Sequence, residues 1–477
     1  MLLSDVPDGL LVIVKEECET CQTVVPALVD LASQQTLTVA VQDHPGWPTE
    51  VSPLDDSSLA LSWELNTEVT PTLYQVTDGS ATLLTIGWDR AAWRDITGMP
   101  QLGEGLPTHR PGCGSITQDP ATHARLTAKD EGRQVFASRT LELGPEEDPH
   151  EAMFTRGWTD GLPVVPPTPE KVRAMLAATA RSPEDVIAHI GPNIAPATVE
   201  KVAINAVLAG CKPEYFPVVL AAVEAVASDA YNIHGLAATT WYSGTMLVVN
   251  GPIADEIGMN NGFNAFGPGN RANATIGRAV NLVVQNVGGS KAGGVDRSTQ
   301  GHPAKWTLCF AEREHDSPWT SLATERGFEP DTSTVTAFAC SGPAGVADQI
   351  SRNPESLARS IATGLQQIWH PKLAMTSDAM VAISPEHARV FAEAGWDKAR
   401  LRTELLALTT RPGSEMVRGA GGIDEGVPVA MQDMDIPKFR PNGLWITHVG
   451  SGAGLWTGIF ASWVSGEKGS DMVTRAI

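Results

Sequence analysis

Two cysteines separated by two residues, Cys18 and Cys21, are the residues of this chain best suited to chemistry. The apolar run at 10–14 predicts a buried strand before them, and apolar residues at helical spacing follow them. Cys18 would then lie at a helix N-terminus, where unpaired N–H groups and the helix dipole favour its thiolate. The spacing therefore predicts a dithiol redox centre. Cys18 would be the attacking and more accessible thiol, and Cys21 the resolving thiol.

The residues that follow the pair carry a resemblance to a known family. Pro26 stands in the helix after the cysteines, Pro71 lies in the sequence Val-Thr-Pro-Thr-Leu, and an Asp-Gly pair typical of a hairpin turn comes seven residues later. In this order the features resemble the thioredoxin family over residues 1–97. The resemblance implies a thioredoxin-like domain whose active site comprises the two cysteines, as a redox-active disulfide, and Pro71 in a cis-proline loop.

The residues next to the dithiol depart from the family. The tryptophan before the pair and the Gly-Pro within it are absent, and Lys15, Glu16, Glu17 and Glu19 surround the cysteines instead. Carboxylates near a thiol oppose the thiolate, so we expect them to raise the pKa of Cys18 against the pull of the helix end. The alternative is a thioredoxin fold retained as a docking unit, with both cysteines as ordinary buried residues.

Composition and charge argue against several classes of function. The 477 residues carry a net charge of −21 and no Lys/Arg-rich run, so nucleic acid is not expected as a partner. No apolar stretch approaches membrane-spanning length, and the N-terminal residues show no signal-peptide pattern. Six cysteines are too few for a disulfide scaffold at this length, so we expect a cytoplasmic protein. The scattered histidines show no metal-binding spacing, although a metal site assembled from distant residues such as Glu312, His315 and His448 stays open, and no other cofactor is indicated.

A turn-rich segment at 98–150 predicts a linker between two domains. It contains Cys113, which lies between two glycines. A thiol on such a tether could carry a disulfide from one site to another, so Cys113 is a candidate partner of Cys18 in thiol exchange. The alternative is an incidental reduced cysteine.

Residues 151–477 predict a larger α/β domain with a mixed sheet, the expected catalytic domain, because strand and helix patterns interleave along it. After its last predicted strand, a glycine-rich turn and a closing apolar helix are expected. The other predicted elements are strands at 246–250, 305–311, 334–339 and 443–448, and helices at 198–208, 215–226, 354–368, 385–394 and 398–409.

Five phrases of this region carry a second resemblance. They are Gly-Trp-Thr-Asp-Gly-Leu-Pro-Val-Val-Pro-Pro-Thr at 157–168, Asn-Gly-Pro-Ile at 250–253, Gly-Asn-Arg-Ala-Asn-Ala-Thr-Ile-Gly-Arg at 269–278, Ser-Pro-Trp at 317–319 and Glu-Arg-Gly-Phe at 325–328. They resemble a group of poorly characterised bacterial proteins that tend to be associated with so-called UGSC (seleno)proteins. The resemblance implies a redox or sulfur/selenium context, with an external thiol reductant or a selenoprotein as partner. It implies no particular reaction.

A loop rich in Gly and Asn at 260–278 runs into a helix and is the strongest binding signal of the larger domain. Asn273 is a natural N-cap, and the free N–H groups beyond it, with Arg271 and Arg278, would cradle the carboxylate or phosphate of a small substrate. The alternative is a structural loop that caps its own helix. The remaining candidate ligands of the loop are Asn260, Asn261 and Asn270.

A second glycine-rich turn, containing Gly450 and Gly452, has the ingredients of an anion-binding loop. Close packing of the chain on a sheet explains these glycines equally well. Cys309 and Cys211 are candidate catalytic thiols of the larger domain, although free cysteines are most often core residues.

Acid and base groups also cluster around Cys309 in the sequence. Glu312 and His315 follow it, and together with the distant His448 they could assemble into one site. His315 lies between two carboxylates, which would favour its charged form and suit a general acid. The alternative is a solvated strand end.

These residues together favour a two-domain redox enzyme. The dithiol domain would service a larger domain that reduces or cleaves a small anionic substrate. The alternatives are a lyase or transferase that keeps the thioredoxin fold for docking, and a binding protein that delivers substrate to a separate selenoprotein. The sequence does not identify the substrate, and it leaves open whether the chain forms a homo-oligomer.

Overall fold

The chain divides into two compact units, Met1–Val135 and Phe136–Ile477. The computed structural model describes residues 3–120, 122–123, 126–127, 136–467 and 469–477. Helices and strands interleave in both units, and each main sheet contains parallel and antiparallel pairs. The predicted mixed α/β class is therefore confirmed.

The first unit is built on a five-stranded sheet in the order β3-β2-β1-β5-β6. The central strand β1 runs parallel to β2 and antiparallel to β5, and β5 and β6 form an antiparallel hairpin. The elements of this unit are β1 Gly9–Val14, α1 Glu19–Gln34, β2 Leu37–Val41, β3 Leu54–Asp55, α2 Ala60–Glu64, β4 Val69–Thr70, β5 Thr72–Thr77, β6 Ser80–Ile86, β7 Trp88–Asp89, α3 Arg90–Thr97, β8 His109–Arg110 and β9 Cys113–Gly114.

Burial on both faces explains why β1 reads as a continuous apolar run. Val12 and Val14 point into one cluster of buried side chains, whereas Leu11 and Ile13 point into another on the opposite face. Helix α1 packs its apolar side, including Leu28, on the first of these clusters. The start of α1 is thereby held rigidly at the end of a buried strand.

Part of the predicted linker at 98–150 contributes strands to the first unit. Strand β8 pairs with β7, and β9 pairs with β4. The linker prediction also covers residues 121, 124–125 and 128–135, which lie outside the described residues. The observed division after Val135 thus differs from the predicted boundaries at 97 and 150. Short backbone pairings need no apolar periodicity, so the sequence pattern did not reveal them.

The second unit contains an eight-stranded sheet whose main path is β13-β12-β14-β20-β16-β19. Strand β21 pairs with β14, and β15 pairs with β20. The elements of this unit are α4 Pro149–Thr155, α5 Pro169–Leu176, β10 Val186–Ile190, β11 Ala195–Thr198, α6 Val199–Ala209, α7 Phe216–Val226, α8 Ile233–Ala238, β12 Gly244–Asn250, α9 Ile253–Glu256, α10 Arg271–Asn286, β13 Cys309–Ala311, α11 Leu322–Glu325, β14 Thr334–Cys340, β15 Ala344–Ala347, α12 Pro354–Gln367, β16 Ser377–Ile383, α13 Pro385–Glu393, α14 Lys398–Leu408, β17 Arg411–Pro412, α15 Gly413–Met416, β18 Asp435–Ile436, β19 Leu444–His448, β20 Trp456–Val464 and β21 Val473–Ala476.

The sheet of the second unit repeats one three-strand arrangement. In the first half β12 lies between its parallel partner β13 and its antiparallel partner β14. In the second half β16 lies in the same way between β19 and β20, and the halves join where Cys340 pairs with Ser462. One face of both halves shares a buried cluster, and the opposite faces carry separate clusters under α6, α7 and α10 and under α12, α13 and α14. The carboxyl ends of β13 and β19 meet, since the Arg313 N–H donates to the His448 carbonyl at 2.8 Å.

The predicted helices at 354–368, 385–394 and 398–409 are confirmed with small changes at their ends. The predicted closing helix after β19 is wrong, because β20 occupies that stretch. A strand buried at the centre of a sheet reads as a continuous apolar run, which periodicity cannot distinguish from a buried helix. The strand predicted at 305–311 is shorter than expected and begins at Cys309. Among the described residues, no helix has the length and apolar character needed to cross a bilayer.

Candidate functional site

Cys18 occupies the N-cap of α1. Its Sγ accepts a hydrogen bond from the backbone N–H of Cys21 at 3.3 Å and lies 3.4 Å from the carbonyl oxygen of Thr70. The Thr70–Pro71 peptide bond, which follows that carbonyl, is cis. The predicted site residues Cys18, Cys21 and Pro71 are therefore brought together at the start of α1.

A third thiol lies beside this pair. Strand β9 pairs with β4 so that Cys113 is opposite Thr70, and the Cys113 thiol lies close enough to Cys18 to help lower the pKa of Cys18. Both partners belong to the first unit. The structure thus places the predicted exchange partner Cys113 against Cys18.

Residues 111–114, which we call the covering segment, are fixed by several contacts. The Thr20 hydroxyl donates to the Pro111 carbonyl at 2.6 Å, and the Lys15 ammonium donates to the Gly114 carbonyl at 2.8 Å. The segment also passes so close to β4 that a Cβ on Gly112 would clash with the Val69 side chain and lie 2.7 Å from the Thr70 carbonyl oxygen. Only glycine can occupy that position without displacing β4.

The pKa of Cys18 is lowered to about 5. The hydrogen bond from the Cys21 thiol is the largest cause, burial opposes it, and the Cys113 thiol and the Cys21 N–H add to the lowering. The expected rise caused by nearby carboxylates is not found. Glu16 and Glu19 are 44% and 87% exposed and lie near His44 and Arg110, so solvent screens their effect on the thiol.

The other two thiols of the cluster have raised pKa values and therefore stay protonated at neutral pH. Burial is the largest cause that raises the pKa of Cys21, and the neighbouring Cys18 adds to it. Burial and the hydrogen bond to Cys18 likewise raise the pKa of Cys113. One thiolate flanked by two thiols is the arrangement of an attacking sulfur with two candidate resolving sulfurs.

Access to this cluster differs from the sequence prediction. Cys18 and Cys21 have no exposed surface, so Cys18 is not the more accessible of the two. The covering segment, which comes from about 90 residues further along the chain, lies against Cys18 and could not be anticipated from local pattern. Cys113 itself is half-buried, and all six cysteines are free thiols.

In the second unit, the predicted anion loop is organised differently from the prediction. The N-cap of α10 is Asn270, whose side chain accepts from the Asn273 N–H at 3.0 Å. Asn273, the predicted N-cap, is buried; its amide donates to the carbonyls of Asn260 and Ala265 and thereby folds the loop. The Asn260 side chain accepts a hydrogen bond from the Gly262 N–H and so stabilises the turn between them. These contacts favour the structural alternative for the asparagines.

The two arginines of the predicted cradle have separate roles. Arg278 forms a two-pronged ion pair with Asp160, at 2.7 and 2.8 Å, and both side chains are largely buried. Its charge is therefore already neutralised. Arg271 is exposed and donates from Nε to the Gly210 carbonyl at 2.9 Å. Arg271 alone remains suited to an anion.

The two predicted glycine-rich loops do meet. The Gly450 N–H donates to the Asn261 carbonyl at 2.8 Å, and the Gly450 carbonyl accepts from Arg313 at 3.2 Å. The N–H of Gly450 is therefore engaged within the protein rather than directed at a ligand. Gly452 is exposed and stands clear of other groups.

A buried polar cluster occupies the carboxyl ends of β12, β13 and β19. The Glu312 carboxylate accepts from the Asn250 amide at 2.7 Å, the Lys398 ammonium at 3.3 Å and the His448 N–H at 3.3 Å. Burial lowers the pKa of His448. His315 is not part of the cluster, because it is 60% exposed beside Asp316. Two of the three predicted acid/base residues are thus brought together, and Lys398 was missed because a lone helical lysine gives no sequence signal.

The remaining cysteines are core residues. Burial raises the pKa of Cys211 to about 12, and its thiol donates to the Thr275 carbonyl at 3.3 Å. Burial also raises the pKa of Cys309 and Cys340. These environments oppose the thiolate that exchange requires. Within the described residues, no group of His, Cys, Asp and Glu side chains has the arrangement of a metal site.

Comparison with known protein families, curated proteins and solved structures finds no match for this chain. Function must therefore be inferred from the site itself. Of the arrangements described above, the three-thiol cluster has the most specific chemistry, because one of its sulfurs is held as a thiolate at neutral pH.

Proposed function

We propose that this chain is a thiol-disulfide oxidoreductase whose first unit is a thioredoxin-like domain. The observation that carries the proposal is the Cys18 thiol at the N-cap of α1, with its pKa lowered to about 5 and with Cys21 and Cys113 as hydrogen-bonding neighbours. The sheet order, with α1 directly after its central strand, supports the domain assignment. So does the proximity of the Thr70 carbonyl to the attacking sulfur.

The reaction would be a two-step exchange. The Cys18 thiolate attacks one sulfur of a substrate disulfide, forms a mixed disulfide and releases the other sulfur as a thiolate, which takes up a proton. Cys21 or Cys113 then loses its proton, attacks the Cys18 sulfur and releases the second substrate thiol. Two electrons pass to the substrate, and an external dithiol or selenol reductant must reduce the resulting protein disulfide.

The second unit would supply substrate recognition. Arg271 is an exposed cation at the start of α10 and suits a small anionic substrate. Arg271→Ala should then weaken anion binding by roughly 1.5–3 kcal/mol, the range for a charge-assisted hydrogen bond. Isothermal titration with a carboxylate or phosphate probe measures this loss. Unchanged binding would remove Arg271 from the site.

A second candidate function is favoured by the burial of Cys18. A lyase or transferase needs no electrons, and the buried cluster of Glu312, His448 and Lys398 contains acid and base groups. The first unit would then serve for docking. A related possibility is a binding protein that passes substrate to a separate selenoprotein, in which case activity would require that partner.

A disulfide-reductase assay with glutathione disulfide as substrate and dithiothreitol as reductant tests the proposal. Wild type should accelerate the reaction, and Cys18→Ser should abolish the acceleration. Cys211→Ser is the matched control, because a serine hydroxyl can keep the hydrogen bond to Thr275, so it should retain activity. Equal rates for Cys18→Ser and wild type would reject the redox function in favour of the second candidate.

A further inference from the structure

A cavity of about 560 Å³ lies within the second unit, beside the start of β12. Its wall includes Ser243, His302 and Lys305 together with the glycine-rich stretch at 290–301. The volume lies in the range of small-molecule sites, which is roughly 300–1,000 Å³. None of the residues in the dithiol site or the polar strand-end cluster lines it, so it is a separate feature.

Two polar side chains of this cavity lack partners. The Ser243 hydroxyl is buried, with 1% of the residue exposed, and has no hydrogen-bond partner among the described residues. Both ring nitrogens of His302 are buried, and neither makes a hydrogen bond of ordinary geometry, although the Cys340 carbonyl lies near the ring. A buried polar group without a partner destabilises the fold, because it gives up its hydrogen bonds to water and gains none in return. Groups left in this state beside a cavity therefore point to a ligand.

The absence of a side chain at Gly244 leaves room for the His302 imidazole at the cavity wall. Gly244, the first residue of β12, faces the ring, and a Cβ there would lie 3.2 Å from His302 Nε2 and 3.2 Å from the Lys305 side chain. A larger residue would push the ring away from the strand. The glycine thus allows the His302 ring to lie at the same cavity wall as Ser243, the residue that precedes Gly244 in the chain.

The charged groups around the cavity are already paired. Lys305 lies 2.6 Å from the Asp296 carboxylate, and Asp160 is held by Arg278 at 2.7 Å. Burial lowers the pKa of His302, so the imidazole is neutral at neutral pH and offers one donor and one acceptor. A charged ligand would meet no unpaired opposite charge among the described residues of this wall, whereas an uncharged polar ligand would meet the Ser243 hydroxyl and the His302 imidazole, which lack hydrogen bonds of ordinary geometry.

We propose that this cavity binds a small uncharged molecule that both donates and accepts hydrogen bonds, of the carboxamide type, and that Ser243 and His302 orient it. The inference is independent of the thiol chemistry, because no cysteine lines the cavity. It assigns to the second unit a ligand class different from the anion expected at Arg271.

Matched pairs of probes test the proposal on the full chain. Nicotinamide and benzamide are compared with their carboxylate counterparts, nicotinate and benzoate, by ligand-observed NMR titration. The carboxamides should bind at least about tenfold more tightly, because a site with buried hydrogen-bonding groups rejects a mismatched analogue strongly. Binding should also move the ring resonances of His302, which the His302→Gln variant identifies.

Two serine variants separate binding from folding. Ser243→Ala should weaken carboxamide binding at least about tenfold without loss of thermal stability, because it removes an unpartnered hydroxyl. Ser470→Ala is the control, since its hydroxyl is also buried and unpartnered but lies outside the cavity wall, and it should bind as wild type does. Failure of both carboxamides to bind, equal binding of the carboxylates, or wild-type affinity in Ser243→Ala would overturn the proposal.

Discussion

At the scale of single residues, the reactivity of Cys18 depends on the hydrogen bonds that reach its sulfur. The helix end supplies one N–H donor, and the two neighbouring thiols supply others. Burial acts in the opposite direction but is not the largest cause. The sequence predicted the position of this sulfur correctly, because strand and helix patterns meet at it. It did not predict which neighbours would set the pKa, since Cys113 is distant in sequence.

The lowered pKa predicts an unusual pH dependence of alkylation. Cys18 is a thiolate above about pH 5, so its rate of reaction with iodoacetamide should rise through that pH and become constant above about pH 6.5. The rate at Cys113, whose pKa is raised, should still increase at pH 9. Peptide mapping by mass spectrometry measures both rates in one sample. A Cys18 rate that keeps rising to pH 9 would contradict the thiolate assignment.

The two arginines of the Gly/Asn loop should differ in their effect on stability. Arg278→Ala leaves the largely buried Asp160 without its partner, so the free energy of unfolding should fall by about 1.5–3 kcal/mol. Arg271→Ala removes an exposed side chain and should change it by less than about 0.5 kcal/mol. Urea denaturation of both variants provides the comparison. Equal effects would show that the Asp160 pair does not stabilise the fold.

At the scale of elements, the sequence predicts correctly the helices whose apolar residues recur at regular helical spacing. The helices at 354–367 and 385–393 are of this kind. The sequence pattern of strand β20 predicts a helix, because residues 459–462 at its centre are all buried and show no alternation. The polar contacts of the covering segment are formed by backbone carbonyls, which any sequence possesses. The sequence pattern therefore predicts a linker, although the segment packs on the dithiol.

The covering segment should control access to Cys18. Thr20→Val removes the hydrogen bond to the Pro111 carbonyl, which is worth about 0.5–1.5 kcal/mol, so alkylation of Cys18 should become roughly two- to tenfold faster. Thr23→Val is the matched control on the same helix, because its hydroxyl donates to the Glu19 carbonyl one turn earlier. A rate increase of equal size in the control would show that the helix, and not the segment, limits access.

At the scale of the whole molecule, the chain combines a unit that carries the three-thiol cluster with a larger unit built from two similar halves. The α/β class followed from the alternation of elements along the sequence. The repeat of the two halves did not follow from the sequence, because the halves share strand order and packing rather than amino-acid sequence. The cavity beside β12 also gave no sequence signal, since Ser243 and His302 come from segments about 60 residues apart.

The redox state of Cys18 is the property on which the proposed function depends. The full chain should be equilibrated in dithiothreitol buffers of graded redox ratio, quenched by alkylation and mapped by mass spectrometry, alongside the Cys21→Ser variant. We predict a two-electron transition in which Cys18 pairs with Cys21 in wild type, and a Cys18–Cys113 disulfide in the variant. A Cys18 that remains reduced in every buffer would contradict the function, and a variant that captures only foreign thiols would exclude Cys113 as its partner.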